Sequence, residues 1–67
     1  MFEVHTNYLR QIRRKSRLSL ARAAKMLGIG KATLSRYENG VTKVKADILL
    51  RMAAAYQVQI EELLKEG

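Results

Sequence analysis

Four residues between positions 31 and 36 carry side chains that can hydrogen-bond to, or pack against, the edges of flat heterocyclic rings. Positions i, i+1, i+4 and i+5 lie on one side of a helix, so residues 31–39 would present these side chains together. A guanidinium or an ammonium donates to guanine O6 and N7, a hydroxyl can donate or accept, and a methyl group contacts that of thymine. Base-edge contacts are therefore predicted from Lys31, Ala32, Ser35 and Arg36, with an ordinary solvated helix face as the alternative.

The charge of the chain is unevenly distributed. Its 67 residues include 13 Lys and Arg against 6 Asp and Glu, a formal net charge of +7. Residues 1–45 hold eleven basic and two acidic residues, which gives +9, whereas residues 46–67 hold two and four, which gives −2. Such a separated field attracts and orients a polyanion. Aromatic residues are only 6% of the chain, which favours a duplex over a single strand that requires stacking platforms.

Residue types disfavour catalysis and metal binding. The chain has no cysteine, so it lacks a disulfide, a thiolate nucleophile and a zinc-thiolate site. Its single histidine, His5, lies in an expected terminal arm, and Asp47, Glu61 and Glu62 suit the positive starts of helices. Neither an enzyme nor a cofactor or metal is expected. The apolar runs are too short to span a membrane, and a cytoplasmic location is expected.

Apolar residues recur with a period near 3.6, and proline is absent, which predicts an all-α fold of five helices. One domain is expected over residues 1–67, with residues 1–5 as an N-terminal arm. Tyr37, Tyr56 and the methionines are assigned to the core. The predicted helices run from Thr6 or Asn7 to about Ser16, from a cap at Ser19 to Gly28, from about Gly30 or Lys31 to Asn39, from about Ala46 to a break at Gln57–Gln59, and from Ile60 to Leu64.

The second and third predicted helices have the spacing of a helix-turn-helix. Ala24 provides a small residue where the helices cross, Gly28 permits a positive φ in the turn, and Leu34 anchors the third helix. On that helix Leu34, Tyr37 and Glu38 are expected to face inward. A carboxylate in that position requires a partner.

The segments LRQIRRKSRLS, LARAAKMLGIGKATLSRYENG and ILLRMAAAYQVQIEELL closely resemble the phage repressor/Cro-type (XRE-like) helix-turn-helix family, from Asn7 to Leu64. The resemblance implies a compact lambda-repressor-like domain whose third helix enters the DNA major groove. It implies base contacts from the face described above and a structural ion pair between Arg13 and Glu38. The implied phosphate contacts are Ser19, Thr33, Asn39, Thr42 and Lys43.

The chain departs from the family pattern at four positions. Leu20 occupies a site where glutamine commonly helps bind phosphate, and Gly30 replaces the usual Ser or Thr cap of the third helix. Arg17 stands where glycine is frequent, and Val44 where proline is frequent. The loss of glutamine removes both the phosphate contact and the support of the first base-reading side chain that this residue commonly provides. The changes at Arg17 and Val44 do not argue against the fold.

These features predict a sequence-specific double-stranded DNA-binding transcriptional regulator, most simply a repressor that binds an inverted repeat as a homodimer. Ile60, Leu63 and Leu64 are the expected dimer interface. The alternative is an antitoxin or another protein-interaction module of the same fold, which would bind a protein partner. Attachment to a membrane or to RNA through a basic amphipathic helix is disfavoured, because the apolar faces are needed for the core.

Overall fold

Four α-helices form most of the chain in a computed structural model that describes residues 2–4 and 6–66, with side chains for residues 8–64. The predicted placement of Met1 and His5 therefore lies outside the described residues. No helix in the described ranges has both the length and the apolar composition to cross a bilayer. The helices are α1 (Thr6–Lys15), α2 (Leu20–Leu27), α3 (Lys31–Glu38) and α4 (Ala46–Tyr56).

The prediction of a fifth α-helix is wrong. Residues Ile60–Leu63 form a single 3-10 turn, closed by a capping box in which the Gln59 backbone N–H donates to Glu62 Oε2 at 2.8 Å. The chain then becomes extended as strand β2 (Leu64–Glu66), which pairs antiparallel with strand β1 (Phe2–Val4). Part of the predicted arm is thus a strand, because its backbone pairs with a distant segment that local sequence does not reveal.

The apolar faces of the helices meet in one core. Leu9 of α1, Leu27 of α2, Leu34 of α3 and Met52 of α4 are almost completely buried, and Leu63 of the 3-10 turn joins them. Leu63 is 0% exposed, so its assignment to a dimer interface is wrong: the turn directs this side chain inward.

The assignment of the methionines to the core holds for only one of the two whose side chains are described. Met52 is buried, whereas Met26 is 51% exposed on the outer face of α2. The buried residues of α2 are Ala23, Ala24 and Leu27. At 3.6 residues per turn, Met26 lies about 100° around the helix axis from the centre of that face, which leaves its side chain in solvent.

Each α-helix is followed, within two residues of its last helical residue, by a residue in the left-handed conformation. The residue after each of these donates its backbone N–H to a carbonyl five positions earlier, as in the Schellman motif; for example, Ile29 N donates to Ala24 O at 3.0 Å. Two ends are glycines and two are not, so the second pair carries backbone strain. The terminating residues are Arg17 (φ 58°), Gly28 (φ 73°), Gly40 (φ 73°) and Gln57 (φ 56°).

A side chain of α4 forms a hydrogen bond with the backbone at the turn between α2 and α3. Arg51 donates from Nη1 to the carbonyl of Leu27 at 3.2 Å, one residue before Gly28. A Cβ added at Gly28 would lie 3.4 Å from the same Nη1 atom. Ala24, 2% exposed, provides the small residue of the predicted crossing. The turn that sets the angle between α2 and α3 therefore depends on a positive φ and on a guanidinium from a third helix.

Arg17→Gly is expected to raise the free energy of unfolding by about 0.5–1 kcal/mol. Relief of the left-handed strain exceeds the extra entropy that glycine gives the unfolded chain. Urea unfolding at neutral pH measures the change. Arg17→Ala removes the same charge but remains an L-residue, so no gain is expected from it; an equal gain from both variants would assign the effect to charge.

Candidate nucleic-acid interface

Helix α3 has one buried and one exposed side. Leu34, Tyr37 and Glu38 are 0%, 4% and 3% exposed, and the helix packs against α2 and α1. Lys31, Ala32 and Arg36 are exposed on the other side, with Ser35 half-buried at the edge. We call Lys31, Ala32, Ser35 and Arg36 the α3 face. The inward and outward residues are those expected from the sequence.

Four of the five residues predicted to contact phosphate lie within α3 or in the segment that follows it, and the fifth, Ser19, lies at the start of α2. Thr33 is half-buried within α3, and Asn39 is exposed where α3 ends. Thr42 and Lys43 are exposed in the segment that leads to α4. Ser19 has a structural role, since its Oγ accepts the N–H of Arg22 at 3.1 Å and caps α2. Its hydroxyl is still exposed, and phosphate contact by these residues stays a prediction.

The inward carboxylate of Glu38 is held by a guanidinium from α1. Arg13 Nε lies 2.6 Å from Glu38 Oε2, and Arg13 Nη2 lies 3.1 Å from Glu38 Oε1, so the pair is bidentate. The remaining nitrogen of Arg13, Nη1, donates to the carbonyl of Leu18 at 2.9 Å. The hydrogen bond to Glu38 raises the pKa of Arg13, against the opposing effect of burial. The pair fixes the rotation of α3 about its own axis.

Arg10 also reaches the end of α3, which sequence analysis missed. Its Nε lies 3.6 Å from Glu38 Oε1, and its Nη2 donates to Asn39 Oδ1. The available signal was its spacing, because Arg10 and Arg13 are three residues apart and so share one side of α1.

A buried tyrosine lies within the electrostatic influence of this ion pair. Tyr56 is 5% exposed, and its hydroxyl has no hydrogen-bond partner among the described residues. Burial raises the pKa of Tyr56 to about 12, the Glu38 carboxylate adds to the rise, and Arg13 opposes it. Tyr56 is thus a neutral core residue, as the sequence indicates.

The acidic residues of the described chain are dispersed. No group of three or more His, Cys, Asp or Glu side chains is found there in an arrangement that could hold a metal ion. Exposed cations, by contrast, lie on α3 at Lys31 and Arg36 and in the following segment at Lys43 and Lys45. The chemistry of the site is therefore that of hydrogen-bond donation and positive charge.

Comparison with known proteins bears directly on this geometry. A family model described as helix-turn-helix matches residues 9–63, which is most of the chain. The chain belongs to this helix-turn-helix family. The expected relationship to phage repressor/Cro-type proteins is thereby confirmed. No relative is found among curated protein sequences.

Three solved structures share the fold of this helix-turn-helix protein. The P22 c2 repressor in complex with a synthetic operator is 26% identical, with a TM-score of 0.85 and coverage of 97% of this chain and 98% of that one. SinR in complex with DNA, described as the master regulator for biofilm formation, is 25% identical (TM-score 0.80, coverage 87% and 94%). The N-terminal DNA-binding domain of SinR from Bacillus subtilis is 27% identical (TM-score 0.75, coverage 92% and 91%).

Glu38→Ala is expected to lower the free energy of unfolding by about 2 kcal/mol, because it leaves the Arg13 guanidinium buried without its carboxylate. Replacing both residues, as Arg13→Met with Glu38→Leu, should recover most of that loss, since no buried charge then remains. Urea unfolding provides the measurement. Glu61→Ala, the same charge change at an exposed site, serves as the control. A double variant no more stable than Glu38→Ala would contradict this account of the pair.

Tyr56→Phe is expected to make the protein less sensitive to alkali. Between pH 10 and 12 the unfolded chain releases the Tyr56 proton while the folded protein retains it, so wild type loses about 2 kcal/mol of stability there. The variant lacks this loss. Unfolding free energies of both proteins from pH 8 to 12 test it, and the difference between them cancels the titration of lysines. Parallel pH profiles would contradict the assignment.

Proposed function

We propose that this protein is a sequence-specific, double-stranded DNA-binding transcription regulator, a repressor that binds an inverted-repeat operator as a dimer. In this proposal α3 lies in the major groove, with the α3 face against base edges. Thr33, Asn39, Thr42, Lys43 and Ser19 contact the phosphates on either side. Duplex DNA as the partner also implies an intracellular site of action.

The observation that carries the proposal is the division of α3 into two sides. Because Leu34, Tyr37 and Glu38 are buried, the opposite side of α3 is exposed to solvent. On that side Lys31 and Arg36 have no acidic partner among the described ion pairs. An α-helix with its side chains is about 10–12 Å in diameter and fits the major groove of B-DNA, which is about 12 Å wide. An unneutralised cationic helix is suited to a groove lined with acceptors.

The solved relatives and the charge distribution support the same function. The P22 c2 repressor is bound to a synthetic operator and SinR to DNA, and both align with nearly the whole of this chain. Residues 1–45, which include α1, α2 and α3, hold the net positive charge. Cations near the groove contribute affinity that is independent of sequence, whereas the α3 face supplies discrimination.

Dimerisation follows from the small number of base contacts that one α3 face can make. One bidentate contact discriminates by about 1–3 kcal/mol, so a single half-site gives modest specificity. Two copies related by a two-fold axis double the contacts and require an inverted repeat. Ile60 and Leu64, both half-buried against the core, remain the proposed interface residues.

Selection of bound duplexes from a random pool, at stated salt, tests the function with a matched pair of variants. Wild type is expected to select a short inverted repeat. Arg36→Ala should relax the preference at one base pair per half-site by about 1–3 kcal/mol. Lys43→Ala, which removes one charge from a phosphate contact, should weaken all duplexes about equally and reduce the salt slope by about one unit.

The same experiment distinguishes the parts of the proposal. If both variants bind as wild type does, the assignment of contacts is wrong. Enrichment of a single, unrepeated half-site would overturn the dimer. Binding of all duplexes alike would overturn sequence-specific regulation and favour the alternative, a protein-interaction module of the same fold.

A further inference from the structure

We propose that Arg10 of α1, acting through Asn39, fixes the hydroxyl of Ser35 as a hydrogen-bond donor toward DNA and so sets base preference at the position that Ser35 contacts. The proposal rests on the function proposed above. It concerns a residue outside the helix-turn-helix, since Arg10 makes its contacts at the end of α3 from the first helix of the fold.

The first step is the anchoring of Arg10. Its guanidinium lies between two acceptors, with Nε 3.6 Å from Glu38 Oε1 and Nη2 against Asn39 Oδ1. Glu38 is itself buried and held by Arg13, so the carboxylate is a fixed point. The Arg10 side chain is 36% exposed, and this contact is therefore only partly shielded from water. The ion pair with buried Glu38 restricts the Arg10 side chain, so its guanidinium is held in position to donate to the Asn39 amide.

The second step is the orientation of the Asn39 amide. Arginine has five donors and no acceptor, so the atom of Asn39 that faces Arg10 must be the oxygen. The amide nitrogen then points the other way. It lies 3.4 Å from Ser35 Oγ, one helical turn earlier, as its hydrogen-bond donor. Arg10 thus determines that the nitrogen of the Asn39 amide, and not its oxygen, faces the Ser35 hydroxyl.

The third step is the polarity of Ser35. An amide nitrogen has donors only, so the Ser35 oxygen accepts from it and the Ser35 hydrogen must point elsewhere. Ser35 belongs to the α3 face and is half-buried there. In this proposal its hydrogen points toward the base edges rather than back to the Lys31 carbonyl one turn earlier. A hydroxyl that donates pairs with guanine O6 or N7, with thymine O4 or with adenine N7, and it meets the N4 amino donor of cytosine unfavourably. Adenine also presents the N6 amino donor beside N7, so it is a poorer partner than guanine or thymine. The series Arg10, Asn39, Ser35 therefore favours guanine or thymine over cytosine.

Duplex selection with variants of the full chain tests this inference. Wild type should prefer guanine or thymine over cytosine at one base pair per half-site by about threefold to tenfold, the range for one hydrogen bond. Ser35→Ala should abolish that preference, and Arg10→Met should reduce it to below about twofold. Arg10→Lys, which can still donate to Asn39 Oδ1, should retain it.

Asn39→Asp tests the polarity itself. A carboxylate keeps the contact with Arg10 but has acceptors only, so the Ser35 hydroxyl turns its hydrogen toward Asp and offers a lone pair to DNA. The preference should then shift toward cytosine, whatever happens to overall affinity. A merely structural role of Arg10 would move stability and affinity but not the identity of the preferred base.

Arg14→Met is the matched control, because Arg14 is exposed on the same helix and its side chain makes no hydrogen bond or ion pair with the described residues. It removes the same charge and should leave the base preference unchanged. Preferences are ratios measured on one preparation, so they do not depend on the folded fraction, which thermal melting reports separately.

The outcomes separate this inference from the function on which it rests. Wild type that binds all duplexes alike overturns the proposed function. Wild type that selects a sequence while Arg10→Met keeps the full preference overturns the role of Arg10 alone. An unchanged preference in Asn39→Asp overturns the assigned polarity of Ser35. Loss of preference in Arg10→Met but not in Arg14→Met, with retention in Arg10→Lys, supports the inference.

Discussion

The orientation of α3 depends on one buried carboxylate. Glu38 is 3% exposed and receives a bidentate pair from Arg13, with a second cation, Arg10, nearby. A charge in this environment is tolerated only with its partner in place, so rotation of α3 that separated them would be strongly unfavourable. Because the exposed side of a helix is fixed once its buried side is fixed, this pair also determines what α3 presents to solvent.

The same ion pair links the core to the surface. Arg13 donates a hydrogen bond to the Leu18 carbonyl just after α1 ends. The Glu38 carboxylate contributes to the raised pKa of the buried Tyr56. In the other direction, Glu38 anchors Arg10, whose contact with Asn39 extends the network to the exposed surface. In a domain too small for a deep core, one polar cluster thus serves both stability and the geometry of the exposed face.

Much of the fold was predictable from local signals. The 3.6-residue period located α1, α2, α3 and α4, and Gly28 marked the end of α2 correctly. The left-handed ends without glycine were missed, because Arg17 and Gln57 have no intrinsic preference for that conformation and adopt it to complete backbone hydrogen bonds. Of the candidate site, the inward and outward sides of α3 were predictable from spacing, but the contact between Arg10 and Asn39 was not.

The sequence by itself determined which residues of α3 face inward and how positive charge is distributed, since both follow from spacing and residue type. Only the tertiary structure decided the burial of Leu63, the pairing of β1 with β2 and the direction of the Arg10 guanidinium. Each of these joins segments far apart in the chain. Local periodicity specifies the sides of an element, whereas a long flexible side chain or a terminal strand takes its place from whichever partner the completed fold brings within reach.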